Sequence, residues 1–129
     1  MSFDKQVADF VGKAKGLQEK QVRYLCLDLL TNVVQGTPVD TGRARGNWQA
    51  SINAPRTNQL ETTDKNGGAT ISAGQSAVSK AAGNVFYLTN NLPYIYRLEF
   101  EGWSKQAPSG WVRTAIERTK QIAARMPRR

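Results

Sequence analysis

The chain has 129 residues, with 18 Lys and Arg against 10 Asp and Glu, so its net charge is +8 and its length suits one domain. It has no histidine and one cysteine, which excludes Ser-His-Asp and Cys-His catalysis, imidazole and Cys-rich metal sites, and an internal disulfide. No apolar run approaches the roughly 20 residues that cross a bilayer, and the first residues lack the apolar core of a signal peptide. We therefore expect a small basic intracellular domain with an anionic partner, and no metal, cofactor or membrane.

The N-terminal region 1–36 is predicted to be helical. Apolar residues recur at three-and-four spacing over residues 3–17 and again over 22–33, as on one face of a helix. One long helix over about residues 3–35 would carry both stripes. A kink or break near Gly16 is the alternative, because a glycine inside a helix costs roughly 1 kcal/mol relative to alanine.

A structured turn is predicted after this helix. Gly36 stands where a left-handed residue would end the helix, and Pro38 disfavours its continuation. Asp40 can accept hydrogen bonds from backbone donors around Gly42, which permits a positive φ.

The middle of the chain predicts strands and loops. Residues 47–53 alternate polar and apolar side chains, which indicates a half-buried strand. Residues 54–68 are polar and predict an exposed loop. Residues 69–73 and 85–89 are the next strand candidates, and 74–83 is predicted to be a loop or a short helical turn.

Two helices are predicted in the last third of the chain. Pro93 is well placed in the first turn of a short helix over 93–101. The last helix is predicted over about 109–126, with Ser109 as its cap. The order of elements describes one α+β domain over residues 1–129 with about three to four strands.

Charge and reactive groups give no evident enzymatic site. Residues 105–129 hold seven basic residues and one acidic residue, ending in the basic tail 127–129. Cys26 lies in an apolar stripe and is predicted to be a small buried hydrophobe. Glu99 and Glu101, two apart on a helix, point away from each other, which makes Glu99 a partner for an arginine and not half of a catalytic pair.

Three segments carry a family resemblance. TPVDTGR at residues 37–43 resembles the signature of tailed-bacteriophage neck and tail-completion proteins. NNLPYIYRLEF at 90–100 is similar to the second block of that family, with Ile95 in place of the usual alanine. SKQAP at 104–108, leading into the last helix, resembles the third block. The three blocks occur in the family's order and span roughly residues 20–120.

The resemblance implies a non-enzymatic virion protein with an α+β fold, in which N-terminal and C-terminal helices pack on a small antiparallel sheet. Its relatives are implied to form rings at the neck or at the head-proximal end of the tail, where they complete the tail and join it to the head. Matching positions are expected to be structural or interface residues: Pro38, Asp40, Thr41, Gly42, Pro93, Tyr94 and Glu99. Large apolar side chains outside the predicted core are candidates for subunit contacts: Tyr24, Leu27, Tyr96 and Trp103.

The family resemblance also implies which partners this chain has. The chain is expected to form a homo-oligomeric ring, with six copies as a supposition, assembled in the host cytoplasm between connector and tail terminator or tube proteins. The 54–68 loop is the candidate for docking onto a neighbouring ring, and no small-molecule substrate is expected. A small basic DNA-binding module acting as a free protein is the alternative. Arginines expected to face DNA in the channel, or alternatively to make salt bridges or face solvent, are Arg43, Arg45, Arg118, Arg125, Arg128 and Arg129.

Overall fold

The computed structural model describes residues 16–39, 42–100 and 110–127. Within these ranges it contains five helices and two strands, and the α+β class is confirmed. In chain order they are α1 (Glu19–Gly36), α2 (Arg43–Gly46), β1 (Gln49–Ile52), α3 (Gly68–Ser79), β2 (Phe86–Thr89), α4 (Ile95–Phe100) and α5 (Trp111–Arg125).

The sheet is antiparallel but smaller than predicted. Gln49 of β1 lies opposite Thr89 of β2, and Ile52 lies opposite Phe86. The described residues hold only these two strands, so the expectation of three to four strands is not met there. The two strands lie within the predicted strand segments 47–53 and 85–89.

The predicted strand over 69–73 is wrong, because this segment belongs to α3. The helix continues to Ser79, so the segment 74–83, predicted to be a loop or a short helical turn, is helical over its first six residues. Gly67, at φ +82°, turns the chain into the helix. Gly74 then allows α3 to lie close to α1, since a Cβ at this position would come within 2.6 Å of Leu30 Cδ2. Helix initiation and packing against α1 override the weak strand pattern.

Both ends of α1 differ from the sequence prediction, which is one helix over about residues 3–35 with Gly36 as its left-handed cap. Gly16 has φ +89° and α1 begins at Glu19, so a single helix that runs through Gly16 over residues 3–35 is wrong, and the described residues agree with the alternative of a break near Gly16; residues 3–15 lie outside the described part. At the other end Gly36 is itself helical and Thr37 is extended, so the left-handed cap is wrong. Gly36 serves packing instead, because a Cβ there would lie 2.8 Å from Cδ1 of Trp111.

The core is formed mainly by α1, which packs against α5 on one side and α3 on another. Trp48 and Trp111 are both buried. Cys26 is also buried, and burial raises the pKa of its thiol to about 12, so the thiol stays protonated at neutral pH. Fully buried apolar side chains in this core include Leu29, Leu30, Val33, Phe86, Leu88 and Val112.

Candidate functional site

The C-terminal end of α1 is contacted by three side chains, those of Thr37, Trp48 and Trp111. The carbonyl of Val33 accepts hydrogen bonds from Thr37 Oγ1 at 2.7 Å and from Trp111 Nε1 at 3.2 Å. Trp48 Nε1 donates to Thr37 Oγ1 at 2.8 Å. The last carbonyls of a helix lack partners within it, so two indoles and one hydroxyl hold this helix end in place.

Arg45 also forms hydrogen bonds to backbone carbonyls at the same end of α1. Its guanidinium donates to the carbonyls of Lys65 at 2.6 Å, Gln35 at 2.9 Å and Thr37 at 2.9 Å. A cation near a helix C-terminus is also stabilised by the helix dipole. Because these contacts lie within the subunit, Arg45 is a poor candidate for a DNA contact.

Gly42 joins the motif turn to the loop that follows β1. Its φ of +89° confirms the predicted positive value, and its carbonyl accepts the N–H groups of Gly46 and Asp64, each at 2.9 Å. A Cβ at Gly42 would lie 2.8 Å from the backbone nitrogens of both Asp64 and Lys65. Only glycine satisfies both the conformation and the close approach.

The other predicted motif residues are less engaged. Pro38 is half-buried and Pro93 is exposed. Tyr94 is half-buried and packs against the main core. Asp40 and Thr41 lie outside the described residues.

The loop between β1 and α3 is held by its backbone, although most of its side chains are exposed. The side chain of the buried Asn47 donates to the carbonyl of Leu60 at 2.9 Å and accepts its N–H at 2.7 Å. Asn91 Nδ2 donates to the carbonyls of Arg56 and Asn58 at 2.9 and 3.0 Å. Buried and half-buried asparagines therefore fix the path of this segment.

Asp64 ends the loop and organises the start of α3. Its buried carboxylate accepts hydrogen bonds from Thr70 Oγ1 at 2.7 Å, Thr70 N at 2.8 Å and Gly67 N at 3.1 Å. The Thr70 hydroxyl above all, helped by these backbone donors and by the charge of Arg45, lowers the pKa of Asp64 below its ordinary value of 3.8.

Acid should therefore weaken the fold through Asp64. Because its folded-state pKa lies below the unfolded value, its contribution to the free energy of unfolding is complete above about pH 5 and is lost as pH falls through the folded-state pKa. We expect Asp64→Asn to lower the free energy of unfolding by about 1–2 kcal/mol at pH 7. Urea unfolding followed by tryptophan fluorescence from pH 7 to 2 should show that difference shrinking. A pH-independent difference, or an equal effect of the exposed-site control Glu61→Gln, would contradict this role.

Glu99 joins the second motif block to the last helix. Its fully buried carboxylate accepts hydrogen bonds from Val112 N at 3.0 Å, Arg113 N at 2.9 Å and Arg113 Nε at 3.0 Å, and its carbonyl accepts Gly110 N at 2.7 Å. The prediction of an arginine partner is confirmed. Gly110 occupies the cap position of α5 in place of the predicted Ser109, so Glu99 supplies the capping oxygens from another element.

We call the paired side chains of Glu99 and Arg113 the Glu99–Arg113 clamp. Beside it, the side chains of Tyr96 and Phe100 of α4 form an aromatic ledge. Their ring centroids are 4.6 Å apart, and the Arg113 guanidinium lies over the Phe100 ring at 4.4 Å from its centroid. Stacked aromatic and guanidinium groups of this kind are frequent anchors of protein interfaces.

The four predicted subunit-contact residues are found in different environments. Tyr96 is 57% exposed and Tyr24 is 53% exposed, the two large apolar side chains that stand out in the described part of the chain. Leu27 is half-buried and packs against the core, which weakens its case as an interface residue. Trp103 lies outside the described residues.

The predicted DNA-facing arginines are also divided. Arg118 Nε lies 3.6 Å from Asp28 Oδ2, so an ion pair offsets part of its charge. Arg43 is half-buried in α2, whereas Arg125 is exposed in the last turn of α5. The tail residues 128–129 lie outside the described part.

A cleft of about 270 Å³ opens between β1, the loop that follows it and α3. Small or apolar groups such as Ala50, Ala73 and Gly74 line it, with Arg56 among the polar residues. It is smaller than the usual ligand pocket of about 300–1,000 Å³. The residues that the structure describes include no group of three or more Cys, Asp or Glu placed to hold a metal ion.

No helix within the described ranges is long and apolar enough to span a membrane. Comparisons with protein-family models, curated proteins and solved structures found no match to this chain.

Proposed function

We propose that this chain is a structural virion protein of a tailed phage. It forms an oligomeric ring at the neck or at the head-proximal end of the tail, completes the tail and joins it to the head around the DNA channel. The observation that carries the proposal is the ordered set of three family-like blocks. Two side chains of the second block, Asn90 and Glu99, form hydrogen bonds that join this block to other elements. Asn90 Nδ2 donates to the carbonyl of Ala44 at 2.9 Å, and Glu99 caps the helix that follows the third block.

The roles of these side chains support a mechanical subunit and not an enzyme. Thr37, Arg45, Asn90 and Glu99 each form hydrogen bonds within the subunit that fasten one element to another. A nucleophile or general base must instead reach a substrate. We therefore propose a building block whose motif residues maintain its shape.

The Tyr96–Phe100 ledge is the proposed contact with the next subunit. Identical copies close into a ring when one surface of each binds a different surface of the next. An exposed tyrosine backed by a cation and a second ring, on the Glu99–Arg113 clamp, gives this contact a rigid base. The adjacent connector and tail proteins would bind the two faces of such a ring.

Light scattering on the purified chain tests the ring. We expect a mass that is a multiple of the 14.3 kDa subunit, and Tyr96→Ser should weaken subunit association by about 30-fold, as loss of a central aromatic contact does. The matched control is Gln75→Ser, an exposed substitution on α3, which should leave the mass unchanged.

Electron microscopy of particles made without this protein tests the position of the ring. Unjoined heads and tails, or tails of abnormal length, are the expected result. Complete and infectious particles would overturn the proposal, as would a chain that stays at the mass of one subunit and does not bind purified connectors or tails.

A further inference from the structure

Helices α1 and α5 pack side by side in opposite directions, which brings distant parts of the sequence together. Near the start of α5, Trp111 Nε1 donates to the carbonyl of Val33, close to the end of α1. At the opposite end Gln21 Nε2 donates to the carbonyl of Pro127 at 3.0 Å. Residues near position 20 and residues near position 127 therefore occupy the same end of the helix pair.

Helix geometry places three exposed side chains, those of Lys20, Tyr24 and Arg125, along the outer line of contact toward that end. Lys20, Tyr24 and Asp28 are spaced by four residues and lie along one side of α1, while Arg118 and Arg125 are seven residues apart on one side of α5. Asp28 contacts Arg118. At about 1.5 Å per residue, Tyr24 lies about 6 Å beyond Asp28 and Arg125 about 10 Å beyond Arg118, both toward the Gln21–Pro127 end.

Unpaired positive charge collects at this end. Lys20 and Arg125 are exposed and form no ion pair among the residues that the structure describes, and Glu19, the nearby carboxylate, pairs with Arg23 at 3.4 Å. We name the surface formed by Lys20, Tyr24 and Arg125 the basic seam.

We propose that the basic seam binds the phosphate backbone of double-stranded DNA. The inference rests on the proposed function, in which DNA passes through the ring, and it selects the residues that face the DNA. Arg45 and Arg118 are left out, because carbonyls and Asp28 engage them. Lys20 and Tyr24 are added, and Tyr24 changes from an expected subunit contact to a phosphate contact through its hydroxyl.

The two cations of the basic seam, which form no ion pair among the described residues, favour DNA over a protein partner. Phosphates along a duplex repeat closely, so several separated cations can each neutralise one phosphate, and an arginine fork matches phosphate geometry. A protein interface instead has a mixed pattern with a charge-poor centre. An acidic protein surface is therefore kept as an outcome of the test.

The test compares two double variants of the full chain that remove the same charge. Lys20→Gln with Arg125→Gln alters the basic seam, and Lys65→Gln with Lys80→Gln alters exposed lysines on other parts of the surface. Binding to a fluorescent 20-base-pair duplex is measured by anisotropy at several NaCl concentrations. The seam variant should bind about 20-fold more weakly at low salt and lower the slope of log K against log salt by about 2. The control should change binding by less than about threefold, within the effect of net charge alone.

Equal losses in the two variants would overturn the proposal, because they would show a response to total charge and not to a local surface. The proposal would also be overturned if the wild-type chain did not bind duplex DNA but bound polyglutamate through Lys20 and Arg125. The ring proposal fails separately. If the wild type is oligomeric and the seam variant binds DNA normally, only the proposal of the basic seam is wrong. If particles are complete without the protein while DNA binding depends on the seam, only the ring proposal is wrong.

Discussion

Replacing Gly42 with alanine is expected to lower the free energy of unfolding by about 2–5 kcal/mol. At φ +89° an L side chain costs about 1–2 kcal/mol. The added Cβ would also lie 2.8 Å from the backbone nitrogens of Asp64 and Lys65, and main chain cannot rotate away as a flexible side chain can. Overpacking of this kind typically costs a further 1–3 kcal/mol. Urea unfolding monitored by tryptophan fluorescence measures the loss.

Gly83→Ala is the matched control for Gly42→Ala. Gly83 has a similar φ of +78°, but a Cβ there would meet nothing within 4 Å. The control should therefore cost about 1 kcal/mol, from the backbone conformation alone. Equal losses for the two alanines would mean that the close approach to the loop after β1 contributes nothing.

Glu99→Ala is expected to lower the free energy of unfolding by about 3 kcal/mol. The substitution leaves the N–H groups of Val112 and Arg113 without their acceptor at the start of α5, removes a negative charge from the positive end of the helix dipole and opens a cavity. Thermal and urea unfolding by circular dichroism give the size of the effect.

Arg113→Gln separates the cap from the ion pair. The arginine side chain is 48% exposed, so its ion pair with Glu99 should contribute no more than about 1 kcal/mol. Glu99→Ala should therefore be clearly the more harmful of the two substitutions. If Arg113→Gln destabilised the chain as much, the role of Glu99 as a backbone cap would be wrong and the ion pair would dominate.

Hydrophobic patterning predicted the elements whose signals were long or regular. The apolar stripe over 22–33 lies within α1, and β1 and the last helix appear close to their expected bounds, whereas the single helix expected over about 3–35 is only partly matched because α1 begins at Glu19. The segment 69–73 failed because five small or β-branched residues fit either a strand or a helix. Its outcome depends on Asp64 and Gly67 at the helix start and on Leu30 across the core, which lie outside that short window.

Candidate-site residues were predictable when the reason was local. The positive φ at Gly42 followed from turn chemistry, and an arginine partner for Glu99 followed from helix geometry. The buried roles of Asn47 and Asp64 were missed, because asparagine and aspartate in polar segments usually indicate exposed turns. The spacing of Asp64 before Gly67 and Thr70 was the one available signal, since a carboxylate just before a helix often caps it.

The contacts that hold the loop after β1 fix the path of its backbone but not the identity of most of its side chains. The anchors Asn47, Asn91 and Arg45 reach it largely through main-chain carbonyls, which every residue type provides. Most of its own outward side chains, such as Arg56 and Glu61, can therefore vary without loss of the loop's path. The surface of this loop can therefore change by substitution, while the framework that positions the loop stays constant.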